Sequence, residues 1–208
     1  IQAPHFDELT LAAQLEAIAN SVGGFVDQKF LYLETSGAAA WMKLESVREF
    51  PVLREVAELV AQNTRKEGIV ELVSLASGTA LAELQFLNHL KERFMLKVVL
   101  IDISHVLLRR GYNNIKNGLG NRLHSLLSIH GNMEELNCYH ENLRIGLPPS
   151  RRVVSMFGYT FSNLANEIQF LQNALLGFER GDYFLIEVAL HDLPLPLTEN
   201  MIRESDPT

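Results

Sequence analysis

Apolar positions along this chain keep two rhythms, and the change between them falls near residue 67. Before it, apolar residues recur at the three-and-four spacing of an amphipathic helix. Leu9, Leu11, Leu15 and Ile18 predict a helix over residues 7–20, which Gly23-Gly24 ends. The stretch KFLYLETSGAAAWMKL is mixed, with Trp41 and Leu44 on one face of a helix. Pro51 suits the start of a helix running to about residue 64, where Val52, Val56, Leu59 and Val60 repeat at helical intervals. Residues 1–66 therefore read as an all-helical segment.

From Gly68 onward, short apolar runs alternate with amphipathic helices. Residues 69–75 lead into a helix over 81–92, and residues 97–101 into one over 105–117. The run 123–130 is weaker and fits a strand or a helix. Residues 152–157 precede a helix from about 163 to 176, and residues 183–190 form a fifth run. Strands that are apolar on both faces and separated by helices belong to a parallel sheet covered on both sides. Right-handed crossovers make that sheet doubly wound. The expected fold class is thus α/β, with a helical segment at 1–66 and a ligand-binding domain at 67–208. The final stretch, HDLPLPLTENMIRESDPT, reads as an extended tail, and both ends of the sequence read as arbitrary boundaries.

Composition narrows the partners. A 47% hydrophobic content is globular rather than disordered, and the formal net charge is -7. Arginines pair only at Arg109-Arg110 and Arg151-Arg152, each beside an apolar run, so no basic stripe exists to track a phosphate backbone. Nucleic acid is not an expected partner. Cys138 is alone, which excludes an internal disulfide and suits a reducing, cytoplasmic setting. No apolar stretch approaches eighteen residues, so neither a membrane span nor a signal peptide is expected.

Candidate chemistry gathers at the ends of the runs. Ligands of open parallel sheets bind beyond the carboxyl ends of the strands. After the first run comes Ala76-Ser77-Gly78-Thr79, where Gly78 permits close backbone approach and Thr79 is placed to cap the next helix. Ser-Gly-Thr is also ordinary turn chemistry. Asp102 closes the second run at the separation from Gly78 expected of a carboxylate that grips a ribose diol. Asp102 or Ser104 would equally cap the helix that follows. After the third run, Asn132 offers an amide oxygen to an adenine amine with Met133 packing beside it, or simply marks a turn. Cys/His ligand clusters, a Gly-x-Ser-x-Gly elbow and a phosphate-binding Gly-Lys-Ser/Thr are all absent from the sequence. His124 and His130 read as strand or edge residues, and His191-Asp192 as a minor candidate for substrate contact.

The fourth run and its exit, RRVVSMFGYTFSNLANEIQFLQNALLGFERGDYFLIEVAL, resemble the histidine-specific, S-adenosylmethionine-dependent methyltransferases of the ergothioneine pathway. The resemblance rests on Phe157-Gly158, Thr160, Asn163-Leu164 and Gly181-Asp182. It extends back through Gly131-Asn132, Asp102 and Ser77-Gly78-Thr79 to Glu49-Phe50-Pro51, and so covers most of the chain. It implies a class I methyltransferase-like fold that binds S-adenosyl-L-methionine and methylates a nitrogen of a small amino-acid-like substrate. Ala76, Ser77, Gly78 and Thr79 would contact the cofactor from the first loop. Asp102, Ile103, Asn132 and Met133 would contact it from the second and third, with Phe157 and Gly158 from the fourth. Tyr159, Thr160, Asn163 and Phe50 would border the methyl acceptor, with Phe50 and Trp41 as lid or core. Asn163 also reads as a helix N-cap. No catalytic nucleophile and no metal are implied.

Departures from the family pattern are specific. The family has an acidic residue where Ser74 stands, glycine at Ala76, a lysine near Ala82 and Asp at Asn132. Because an alanine at positive φ costs about 1–2 kcal/mol, Ala76 is expected to hold an ordinary backbone conformation. The family's substrate domain and its last two strands have no counterpart here. That points to a longer parent chain or to a partner, a second copy included, that completes the site. A catalytically silent binding module is the alternative function. A nicotinamide dehydrogenase is disfavoured by the lack of Gly-x-Gly-x-x-Gly.

Overall fold

The computed structural model describes residues 32–33, 35–64, 68–135, 151–158, 160–164, 166–175 and 178–188. The helix expected at 7–20, Tyr159, Cys138 and His191-Asp192 lie outside those residues.

Two helices come first, α1 (Thr35–Glu45) and α2 (Leu53–Gln62). Five strands and three helices follow: β1 (Ile69–Leu75), α3 (Leu81–Leu90), β2 (Met95–Asp102), α4 (His105–Leu119), β3 (Leu123–His130), β4 (Arg151–Met156), α5 (Glu167–Leu175) and β5 (Tyr183–Ile186). The strands form one all-parallel sheet in the order β3-β2-β1-β4-β5. The chain moves outward from β1 to β3, then returns to the other side of β1 for β4. That reversal is where an open sheet leaves a crevice at its carboxyl ends.

Alternation along the strands divides the core in two. Val70 and Leu72 of β1 join Leu96, Val98, Leu100 and Val153 on one face, under α2, α3 and α4. Val73 and Leu75 face the other way with Val99, Ile101, Val154 and Met156, under Phe170 and Ala174 of α5. A fully buried Leu contributes about 2 kcal/mol, so these strands specify their register through side-chain burial as well as hydrogen bonds.

The weak third run is a strand, and its weakness has a cause. β3 is an edge strand whose residues are mostly half-exposed or exposed, so it does not need the unbroken apolar character of β1 and β2. The helix expected from residue 163 begins later. A 3-10 turn spans Thr160–Asn163, and Asn166 caps α5 by accepting the Gln169 N–H at 2.9 Å. β5 ends at Ile186, short of the expected 190. Leu44 does not share an inward face with Trp41, being 54% exposed.

At the amino ends of the strands, Glu71 is fully buried and bridges Lys97 at 2.8 Å and Arg152 at 2.6 Å. The triad links β2, β1 and β4 across one face of the sheet.

Candidate functional site

β1 ends in Leu75 and the chain turns through Ala76-Ser77-Gly78-Thr79-Ala80 into α3. Three of these five residues have left-handed φ: Ala76 at 53°, Gly78 at 53° and Ala80 at 57°. The ordinary conformation expected of Ala76 is therefore overturned. Surrounding contacts hold the turn where its own preferences do not. Ser77 donates its N–H to Ile101 O at 3.1 Å, and Asn114 of α4 donates to Thr79 O at 2.9 Å. Gly111 lets α4 approach, since a Cβ there would lie 3.1 Å from Gly78 O.

Two carboxylates grip the turn from opposite sides. Asp102, at the end of β2, accepts the Gly78 N–H at 2.8 Å on Oδ2 and the Ser104 N–H at 2.7 Å on Oδ1. Ser104, not Asp102, is the N-cap of α4. From α1, Glu45 Oε2 accepts the Thr79 hydroxyl at 2.6 Å and the Thr79 N–H at 3.3 Å. Thr79 thus spends its hydroxyl on Glu45 and does not cap α3, whose N-cap position is Ala80. A third carboxylate, Glu83 of α3, accepts the Ser74 hydroxyl at 2.6 Å. A buried carboxylate is therefore present beside Ser74 after all, supplied by the helix rather than the strand.

All three carboxyls titrate high, and burial is the main cause. It pushes Glu83 up to about 8 and Asp102 to about 6, and it raises Glu45. For Asp102, the Ser104 and Gly78 N–H groups oppose the rise while the Glu45 charge adds to it. Hydrogen bonds from Thr79 and Leu81 and the charge of Arg48 oppose it for Glu45.

Beside the turn lies a cleft with about 720 Å³ of empty space, continuous with solvent. Ala76, Gly78, Asp102 and Ile103 form one wall, Asn132 and Met133 another, and Gly158, Thr160 and Asn163 a third. Nine residues singled out in the sequence are thus brought together. Ser77 and Thr79 are buried within the turn, and Phe157 and Phe50 pack into the core. Phe50 does not line this cleft, and the Arg48 guanidinium covers its ring at 5.1 Å. The Asn132 amide oxygen accepts the Glu134 N–H at 3.1 Å, so the proposed adenine acceptor already makes a local turn.

Sequence reasoning missed Tyr32, Leu107, Glu134 and Leu164 as lining residues and Glu45 as a support of the turn. Trp41, read as lid or core, lines the cleft. Its ring is close to both glycine turns: a Cβ on Gly78 would lie 2.7 Å from Nε1, and one on Gly158 would lie 3.2 Å from the ring. Trp41 and Glu45 are one helical turn apart on α1. Behind the third wall, Glu187 accepts the Gly158 N–H at 2.7 Å and pairs with Arg48, tying the residues after α1 to the exit of β4.

The parallel order, the reversal beside β1 and the cleft at the carboxyl ends define a doubly wound, all-parallel α/β fold. No family model and no curated protein matches the sequence. Among solved structures, the chain is similar to the crystal structure of the [4+2]-cyclase SpnF, with a TM-score of 0.36 and 15% identity, covering 59% of this chain and 39% of that one. Among the described residues no helix is long and apolar enough to cross a membrane, and no group of three metal-binding side chains occurs.

Proposed function

We propose that the cleft binds S-adenosyl-L-methionine and that the protein methylates a nitrogen of a small amino-acid-like molecule, as the histidine-specific family does. One observation carries this reading. Asp102 is a buried carboxylate at the cleft wall that accepts backbone N–H groups from Gly78, Ser104 and Ile103, and its remaining acceptor capacity would take a ribose hydroxyl. Ile103 and Met133 beside it offer apolar surface for a base, and Asn132 a polar edge. The residues present therefore fit a nucleoside.

The cofactor supplies an electrophilic methyl group, and the protein supplies alignment and exclusion of water. Asp102 would hold the ribose, and the Gly78 turn would carry the remainder of the nucleoside's 5′ substituent. Thr160 and Asn163 would orient the acceptor, with the Asn163 amide bonding its polar end. Tyr32 and Trp41 would shield the transfer point from water. A binding module without transfer activity is the second reading, favoured by the Ala76 methyl on the cleft wall where the family has glycine.

Calorimetric titration with S-adenosylmethionine, S-adenosylhomocysteine and NAD+ separates these readings from a dehydrogenase. Both sulfur nucleosides should bind and NAD+ should not; silence with all three removes the nucleoside reading, and binding without turnover selects the module. Asp102→Ala should weaken S-adenosylhomocysteine at least about tenfold, the loss of a hydrogen-bonded charge. Because the ribose grip needs the ionised carboxylate, affinity should fall about tenfold per unit as pH drops below about 6.

A further inference from the structure

α3 starts without a side-chain cap of its own, since Ala80 occupies the N-cap position. The start of the helix after the first strand of a doubly wound sheet is where dinucleotides place a phosphate, because unpaired N–H groups and the helix dipole favour an anion there. In this protein an anion is already present, and it belongs to the chain. The Glu45 carboxylate accepts from the Thr79 N–H and hydroxyl, and the Leu81 N–H bonds to it as well. Its other oxygen, Oε1, lies 3.7 Å from where a Cβ on Gly78 would be. Glu45 is 5% exposed, so it is seated against the turn rather than passing over it.

We infer that Glu45 is a specificity-determining residue: it fills the anion position at the start of α3 and restricts the cleft to nucleosides whose 5′ substituent is neutral or cationic. A nucleotide or dinucleotide would have to place its phosphate against Glu45, with Asp102 close behind. A sulfonium or ammonium would instead approach a Glu45 carboxylate whose hydrogen bonds come from Thr79 and Leu81, with Arg48 as the neighbouring cation. The same contact makes α1 part of the binding turn, so the helical segment acts in recognition as well as packing. This rests on the nucleoside reading of the cleft, and the test below separates the two.

The test compares wild type, Glu45→Gln and Glu45→Ala, with far-UV circular dichroism as the fold control. Wild type should bind S-adenosylhomocysteine at least tenfold more tightly than 5′-AMP or NAD+. Glu45→Gln keeps the shape and an acceptor oxygen but removes the charge, and should narrow that preference at least threefold. Glu45→Ala opens the position, so inorganic pyrophosphate should raise its melting temperature while leaving wild type unchanged. Equal affinity of wild type for phosphorylated and unphosphorylated nucleosides overturns the inference. So does an unchanged preference in Glu45→Gln. Should wild type bind no nucleoside, the function reading falls, and pyrophosphate still decides the role of Glu45. A shift in a Glu45 variant alone upholds it; an equal shift in wild type, or none in either variant, overturns it. If Glu45→Ala does not fold, Glu45→Gln alone decides.

Discussion

The two ends of the sheet treat buried carboxylates in opposite ways. At the amino ends of the strands, Glu71 has a cation on each oxygen, Lys97 and Arg152. At the carboxyl ends, Glu45, Glu83 and Asp102 receive hydroxyl and N–H groups instead, and their pKa values rise. Backbone conformation follows the same division. Gly120, before β3, turns at φ 53° with nothing within 4 Å of an added Cβ, whereas the β1 exit puts alanines at 53° and 57°. One end pairs its buried acid with cations; the other buries its acids among hydrogen-bond donors and strains the alanines of its turn. Proteins tolerate such local conflicts where a ligand is to be held, because the groups must be ready to act on something besides one another.

The largest expected effect breaks the neutral end. Arg152→Met leaves Glu71 with Lys97 alone, and removing one partner of a buried pair should cost about 3 kcal/mol in urea denaturation. A cost under about 0.5 kcal/mol would place the triad among exposed ion pairs and remove the contrast.

At the other end the sign should invert. Glu83 has a pKa of about 8 in the folded protein against 4.5 in the unfolded chain. Below 4.5 both states are protonated and the group has no effect; as pH rises toward 8, the unfolded chain ionises and the folded one does not. Stability is therefore lost across that window. Glu83→Gln keeps an acceptor for the Ser74 hydroxyl and removes the titration. It should stabilise the protein by about 2 kcal/mol at pH 7 and flatten the decline between pH 6 and 8. A variant whose stability follows the wild-type pH curve would show that Glu83 is not the group responsible.

Much of the fold and part of the site were legible in the sequence, and the remainder, the carboxylate contrast included, was hidden for definite reasons. β1, β2 and β4 announce themselves as apolar runs because both faces are covered, while β3 was ambiguous because an edge strand can be half polar. Gly78 and Asp102 were found by spacing, since a turn and the end of the adjacent strand lie at fixed separations in this fold. Glu45 could not be found that way. Its role depends on α1 docking against a turn 34 residues further along, and no local pattern encodes that approach. The N-cap at Asn166 was read three residues early because Asn163 has the same chemistry and a 3-10 turn intervenes.

The smallest effect tests whether the strain at the β1 exit is real. Ala76 sits at φ 53°, a conformation that costs an L-residue about 1–2 kcal/mol. Glycine adopts it freely but raises the entropy of the unfolded chain by about 0.4–1 kcal/mol. Ala76→Gly should therefore stabilise by about 0.5 kcal/mol and raise the melting temperature by about 1–2 °C for a domain of this size. Ala76 also lines the cleft, so losing its methyl should leave nucleoside affinity equal or higher. A loss of stability would mean that contacts made by the methyl set the turn and that this end of the sheet holds charge without strain. A gain in stability with a loss of affinity would mean instead that the alanine pre-shapes the turn, making strain a working part of the site.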